Sequence, residues 1–301
     1  MASADNAGSE LINNEKVLAF IDKQIEICND ESPSVSHILK ILKKLLVSDC
    51  STADIVNAAN EIESYRSEEF PRKFPLLVKF EKDKGMEYFL ESLYSSIFDV
   101  AGALKHDDPR HDAMVQVICE LHKLPPKSFK IDGEDRLLYN DEPMFHGQIF
   151  EESNVDNNDE YAARNGDADA KKLCEEWVNI SSFWARCIEN GPRPKTFTFV
   201  DLFLDIKDGL VKDSSFAFVT GTKRPYRLMV AAQYIMRAPR AIYEALSKSE
   251  VKGFGPEKWQ EWYKRFDEIA GDKELGPELG AAVMAAWKTM KDLQPSKPDV
   301  E

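Results

Sequence analysis

No run of about 18 consecutive apolar residues occurs in the 301-residue chain, so no segment has the character of a membrane-spanning helix. Cysteine is sparse as well. The five thiols, Cys28, Cys50, Cys119, Cys174 and Cys187, are scattered, odd in number and never paired as CxxC. That distribution argues against disulfides and a zinc site, and for reduced thiols packed as small hydrophobes. Apolar/polar alternation of period two is missing, which leaves no candidate strand. Positive charge is in deficit: 39 Lys and Arg stand against 53 Asp and Glu, and a formal charge of −14 repels phosphate backbones and disfavours nucleic acid as a partner. The best basic cluster, KRPYR at Lys223 to Arg227, reads as a solvated loop. The opening MASADNAGSE lacks the basic-then-apolar order of a secretory leader, so the expectation is a soluble, cytoplasmic protein.

Signatures of catalysis are absent too. There is no HExxH, serine elbow or glycine-rich phosphate loop, and the five histidines contain no i, i+4 pair. His106 and His111, five apart across a helix start, read as helix-flanking polar residues. Asp107-Asp108-Pro109-Arg110-His111-Asp112 resembles the aspartate-rich magnesium motif of terpene synthases. Pro109, however, places the aspartates before the helix, where Asp108 serves as a cap, and Phe183 and Cys187 stand where that family's second motif after Asn179 needs serine and glutamate. Asn165, Asp167, Asp169 and Glu176 match four positions of a calcium loop, but Ala170 replaces the glycine of its sharp turn. No metal and no cofactor are expected.

What the chain does have is helical periodicity. Leu173, Trp177, Ile180, Trp184 and Cys187 lay one stripe down a helix from Lys171 to Gly191, where Gly191, Pro192 and Pro194 stop it. Two indoles make it the expected centre of the fold. Leu18, Ile21, Ile25 and Cys28 mark a first helix and Ile38, Ile41, Leu42, Leu45 and Leu46 a second. Ser51 caps a third with Ile55, Ala58, Ile62 and Tyr65 on one face, and a connector with Pro71 and Pro75 follows. Leu90 to Leu104 and Met114 to Leu121 give two more, expected to form the innermost layer with the Trp177 helix. Thr198 caps a helix carrying Phe199, Leu202, Phe203 and Ile206. Pro225 starts another, which Pro239 splits, and Gly255-Pro256 and Gly276-Pro277 open the last two.

The expected fold is therefore all-α, a single multi-helix globular domain over residues 10–292 with about nine to eleven amphipathic helices. Flexible tails are expected at 1–9 and 293–301. An irregular stretch from Lys127 to Ala170 ends in an acidic loop insertion at 151–169 with little to bury.

Four segments carry a family resemblance: DDPRHDAMVQVICELHKLP (Asp107 to Pro125), EEWVNISSFWARC (Glu175 to Cys187), AAQYIMRAPRAIYEAL (Ala231 to Leu246) and GFGPEKWQEWYKRFDEIA (Gly253 to Ala270). In this order they resemble a fungal family of all-helical proteins known only as a domain of unknown function, in register from about Gly85 to Met290. The likeness implies a fungal, soluble, helical protein and no activity. Tyr234 departs from it, standing where a tryptophan is usual.

Candidate site residues come from the aromatic inventory. Trp177, Trp184, Tyr226 and Trp259 line a prospective ligand or partner pocket, with Arg186 and Arg237 as cations at its rim. Aromatic stripes at helical spacing are more often core than cavity. The leading reading is a helical protein that binds a protein partner or a small hydrophobic ligand without catalysis. The runner-up is an accessory enzyme of fungal secondary metabolism that holds a hydrophobic substrate in a helical cavity.

Overall fold

The computed structural model describes residues 4–75, 77, 82–131, 133–140, 145, 167–191, 199–210 and 224–293. Among these residues the chain is helical apart from one small hairpin, with eleven helices of nine or more residues. The fold is all-α, as the periodicity predicts, and by contacts its elements group into two compact units, the first running through the hairpin and the second from Asp167 onward.

The first unit opens with α1 (Ala4–Glu31) and α2 (Pro33–Leu46). Helix α1 starts within the segment expected to be a flexible tail. In α2 the stripe Ile38, Leu39, Ile41, Leu42, Leu45 and Leu46 is buried, as the spacing predicts. Helix α3 (Thr52–Ser64) begins in a capping box: the Asp54 N–H donates to the Ser51 hydroxyl, and the Ser51 N–H donates to the Asp54 carboxylate.

The expected proline-bearing connector is instead ordered as a π-helical turn (Tyr65–Glu69) and a short α4 (Phe70–Lys73). Aromatic burial holds it. The Tyr65 ring stacks on His37 at 4.0 Å, and Phe70 meets Phe74 and Phe89 at 4.8 and 5.7 Å. Helix α5 (Lys82–Ala103) buries Phe89, Leu93, Ile97 and Phe98, with Phe89 set against Tyr65 and Phe70, and packs along α2. Helix α6 (Arg110–His122) starts one residue later than expected. Pro109, not Asp108, takes the N-cap position, without a side-chain cap bond; from one residue earlier Asp108 accepts the Arg110 N–H at 2.9 Å and its carboxylate also holds the Arg110 guanidinium.

Within the expected irregular stretch lie β1 (Ser128–Ile131) and β2 (Glu134–Leu137), antiparallel, with Phe129 opposite Arg136. Four-residue strands are too short to display alternation. The signal that marks them is Asp132-Gly133, a hairpin dipeptide, and Gly133 has the positive φ of 82° that such a turn requires. A carboxylate ties the hairpin down. Glu63 accepts two bonds from Arg66, one from Lys127 and one from the Tyr139 hydroxyl at 2.9 Å. These donors outweigh its burial and hold Glu63 down at about 2.

The second unit comprises α7 (Asp167–Asn190), α8 (Val200–Leu210), α9 (Arg224–Arg237), α10 (Pro239–Ser247), α11 (Pro256–Ala270) and α12 (Pro277–Asp292). Helix α7 extends the predicted tryptophan helix by one turn, so Asp167 to Asp169, expected in the acidic loop, are its start, and residues 151–166 of that loop lie outside the described residues. So do Asn165 and Thr198. Arg224 to Arg227, expected in a solvated loop, form the first turn of α9.

Two helices of the unit are enclosed: α7 is buried without a break from Ile180 to Ile188, and α9 from Leu228 to Ile235, Gln233 and Tyr234 included, with α7, α8, α10 and α12 packing around α9. The expected innermost layer is divided accordingly, α5 and α6 belonging to the first unit and α7 to the second. Pro239 breaks the chain as predicted: Ala238 leaves helical geometry and Pro239 opens α10. Glu189 at the end of α7 caps α10, accepting the Ala241 N–H at 3.0 Å and the Arg240 guanidinium at 2.7 Å. Gly255-Pro256 and Gly276-Pro277 open α11 and α12 as expected.

Candidate functional site

Two features of the second unit carry chemistry, and both depend on α8. Successive residues on a helix are about 100° apart, so Asp205 and Lys207 point to different sides of it. One side of α8 meets α9 and the other meets α11.

On the α9 side the backbones approach closely at Gly209, where an added Cβ would lie 2.5 Å from the Arg227 carbonyl oxygen and 2.8 Å from the Ala231 Cβ. This contact brings Asp205 against Tyr234, whose buried hydroxyl donates to the Asp205 carboxylate at 3.4 Å. Burial pushes the Asp205 carboxyl up to about 7, and the charges of Asp201 and Asp208 on the same helix add to the rise; the Tyr234 bond and Arg227, which pairs with Asp208 at 3.8 Å, oppose it. Tyr234 is itself raised well above an ordinary phenol, by burial first and the Asp205 charge second.

A polar seam continues from there into α7. Ser181 faces the Tyr234 phenol, and next to it the Arg186 guanidinium donates to the Ser182 hydroxyl at 2.6 Å. Ser182 in turn donates to the Gln233 side chain at 3.2 Å. Arg186, only 3% exposed, is thus an interior residue and not the rim cation its position suggested. Its long side chain reaches a hydroxyl one turn back on its own helix, which offsets the cost of burial.

On the α11 side lies a cleft of about 750 Å³, lined by Lys207 and Leu210 of α8 and by Glu257, Gln260, Trp262, Lys264 and Arg265 among the residues of α11. Phe203 packs on Trp262 with ring centroids 5.7 Å apart, and the Arg265 guanidinium donates to the Leu210 carbonyl at 2.7 Å. These contacts fix how α8 lies along α11. Leu210 and Trp262 are buried and supply the apolar floor; the walls are charged. Two of the wall carboxylates are engaged, Glu261 with Lys258 and Glu268 with Arg265.

The six residues singled out from sequence are not gathered in one place. Trp177, Trp184 and Trp259 are buried core, and Trp259 packs edge-on against Tyr243 at 5.2 Å. Tyr226 and Arg237 sit near opposite ends of α9, about 16 Å apart at 1.5 Å per residue. The cleft and the Asp205–Tyr234 contact were both missed. A run of charges on α11 is the ordinary mark of a solvated face, and Asp205 differs from its acidic neighbours only in which way it points. Among the described residues no group of three or more His, Cys, Asp or Glu is placed to hold a metal ion, and no helix is long and apolar enough to cross a membrane.

No curated protein and no solved structure matches the chain. A family model does, over residues 94–266, more than half of the chain, taking in α6 to α10, most of α11 and both faces of α8. The chain therefore belongs to the family described as "Protein of unknown function (DUF3632)".

Proposed function

We propose that this is a soluble intracellular fungal protein that binds a ligand in the cleft between α8 and α11 and performs no chemistry on it. The observation that carries this reading is the cleft itself. Its volume of about 750 Å³ lies within the ~300–1,000 Å³ of small-molecule sites, and it combines an apolar floor with a few polar groups on the walls. The lining side chains are aliphatic, indole, amide, ammonium, guanidinium and carboxylate, a set suited to holding a molecule. Five free thiols accord with a reducing compartment, and the resemblance supports a fungal source.

Native mass spectrometry of the protein from its own host tests the reading. A retained small molecule is expected in the parent and lost in Gln260→Trp, in which a large side chain fills the cleft from an exposed position. An adduct equally abundant in both proteins, or absent from the parent, would sink it.

A specific observation favours a second reading, the accessory enzyme. A half-buried carboxyl pushed up to about 7 beside a phenol is the kind of group that acid–base catalysis uses. It faces α9, away from the cleft, so this reading needs substrate to reach the α8–α9 contact. Turnover that is lost in both Asp205→Asn and Tyr234→Phe, with ligand retention unchanged, would favour it.

A further inference from the structure

We infer that the ligand of the α8–α11 cleft is an organic anion with an apolar body, its carboxylate or similar acid group held between Lys207 and Lys264. This rests on the cleft being a binding site and adds the chemical class.

The argument is one of charge placement. The Phe203–Trp262 packing and the Arg265–Leu210 bond bracket a stretch of α8 that runs beside residues 262–265 of α11. Lys207 lies between the two α8 anchors, and Lys264 lies between the two α11 anchors. Both residues line the cleft. Both side chains are exposed, and among the described residues neither is in an ion pair.

The neighbouring acids pair with other cations. Glu261 is bonded to Lys258, Glu268 to Arg265, and Asp208, adjacent to Lys207 in sequence, pairs with Arg227 on the opposite side of α8. Arg265 spends its guanidinium on Leu210 and Glu268. Glu257 is the remaining wall carboxylate, at the second position of α11, where the helix N-terminus favours negative charge. It stands about 10 Å along α11 from Lys264, seven residues at 1.5 Å each. Lys207 and Lys264, paired with no acid among the described residues, thus line the cleft together with Glu257, Trp262 and Leu210. Two cations lining one cleft favour an anion within it. An acid group at the lysines with hydrocarbon over the indole satisfies both parts of the site at once.

Isothermal titration calorimetry of the full chain with octanoate, octylammonium and 1-octanol tests this, since the three share a tail and differ in head. Octanoate is expected to bind at least tenfold more tightly than either of the others, a difference of about 1.4 kcal/mol. The preference should shrink as salt rises, and Lys207→Gln combined with Lys264→Gln should abolish it. Because both lysines are exposed, that variant should keep the parent's circular dichroism. Glu257→Gln should leave octanoate binding intact or tighten it.

Octylammonium binding as tightly as octanoate, a preference surviving the double lysine change, or no heat from any probe would overturn the assignment. If all three probes bind alike and Gln260→Trp abolishes them, the anion assignment fails and the cleft stands as a binding site. If octanoate is preferred but Gln260→Trp leaves it bound, both fail.

Discussion

Asp205 makes the stability of this protein depend on pH in the direction opposite to that of an ordinary salt-bridged carboxylate. Its folded value of about 7 lies above the 3.8 of a free aspartate, so the folded chain holds a proton that the unfolded chain has already released. The stabilisation due to that proton is complete below about pH 4, declines as pH rises toward 7, and is gone above it. Over the full window the difference amounts to about 4 kcal/mol at 1.36 kcal/mol per pH unit, a sizeable share of the ~5–15 kcal/mol that holds a domain folded.

The measurable part lies above pH 5, where other carboxylates have finished titrating. Between pH 5 and pH 8 Asp205 should remove about 2–3 kcal/mol. His37 opposes this: burial lowers its value, and a lowered histidine gains stability as pH rises toward its ordinary 6.5. Asp205→Asn separates the two, because it removes the carboxyl and leaves His37 in place. Urea unfolding of parent and variant at pH 5 and pH 8 gives four free energies. The variant's stability relative to the parent should improve by about 2–3 kcal/mol on going from pH 5 to pH 8. Parallel pH profiles would mean that the carboxylate is solvated and the Tyr234 contact carries no such energy.

Three further substitutions probe the rest of the fold. Glu63→Gln removes a carboxylate held at about 2 by Arg66, Lys127 and Tyr139, a contribution present above pH 4.5 and lost as pH falls toward 2. Unfolding at pH 7 should show a loss of about 2–3 kcal/mol, and below pH 2 variant and parent should converge. Gly209→Ala puts a methyl against the Arg227 carbonyl and should cost about 1–3 kcal/mol by overpacking, read as a lowered Tm, despite alanine's better helix propensity. Trp184→Ala should cost about 3–5 kcal/mol in chemical denaturation, since the indole is buried in α7, and a loss under ~0.5 kcal/mol would place it on the surface.

Local rules made much of the helical framework legible. Ser51 caps α3 through the hydroxyl its position promised, and Pro239, Pro256 and Pro277 each open a helix at the first position, where proline's missing N–H costs nothing. The periodic stripe in α2 is buried because a single neighbouring layer suffices to cover a stripe. Helix α9 could not be ranked that way. A helix enclosed on all sides has no polar face to set its period against, so its mixed string of Ala, Gln, Tyr and Ile reads as weak amphipathicity when it marks an enclosed helix. The hairpin and the π-helical turn were hidden for a different reason: each is stabilised by partners far away in sequence, Glu63 for the hairpin through Tyr139, and His37 for the turn through Tyr65.

The candidate site was illegible because sequence does not state which neighbour a helix face will meet. Asp205 and Lys207 are two residues apart on one eleven-residue helix, and both are charged. One is half-buried against Tyr234 where α9 approaches closely at Gly209, while the other stays exposed beside the cleft with α11. The difference between the two lies in the partner helices, fifteen or more residues farther along the chain. The two faces of α8 also make separable predictions: Asp205→Asn should alter the pH dependence of unfolding without changing which probe the cleft prefers, and the double lysine change should do the reverse. If either substitution moved both observables together, the α8–α9 contact and the cleft would be energetically one site, and the assignment of distinct roles to the two faces would fail.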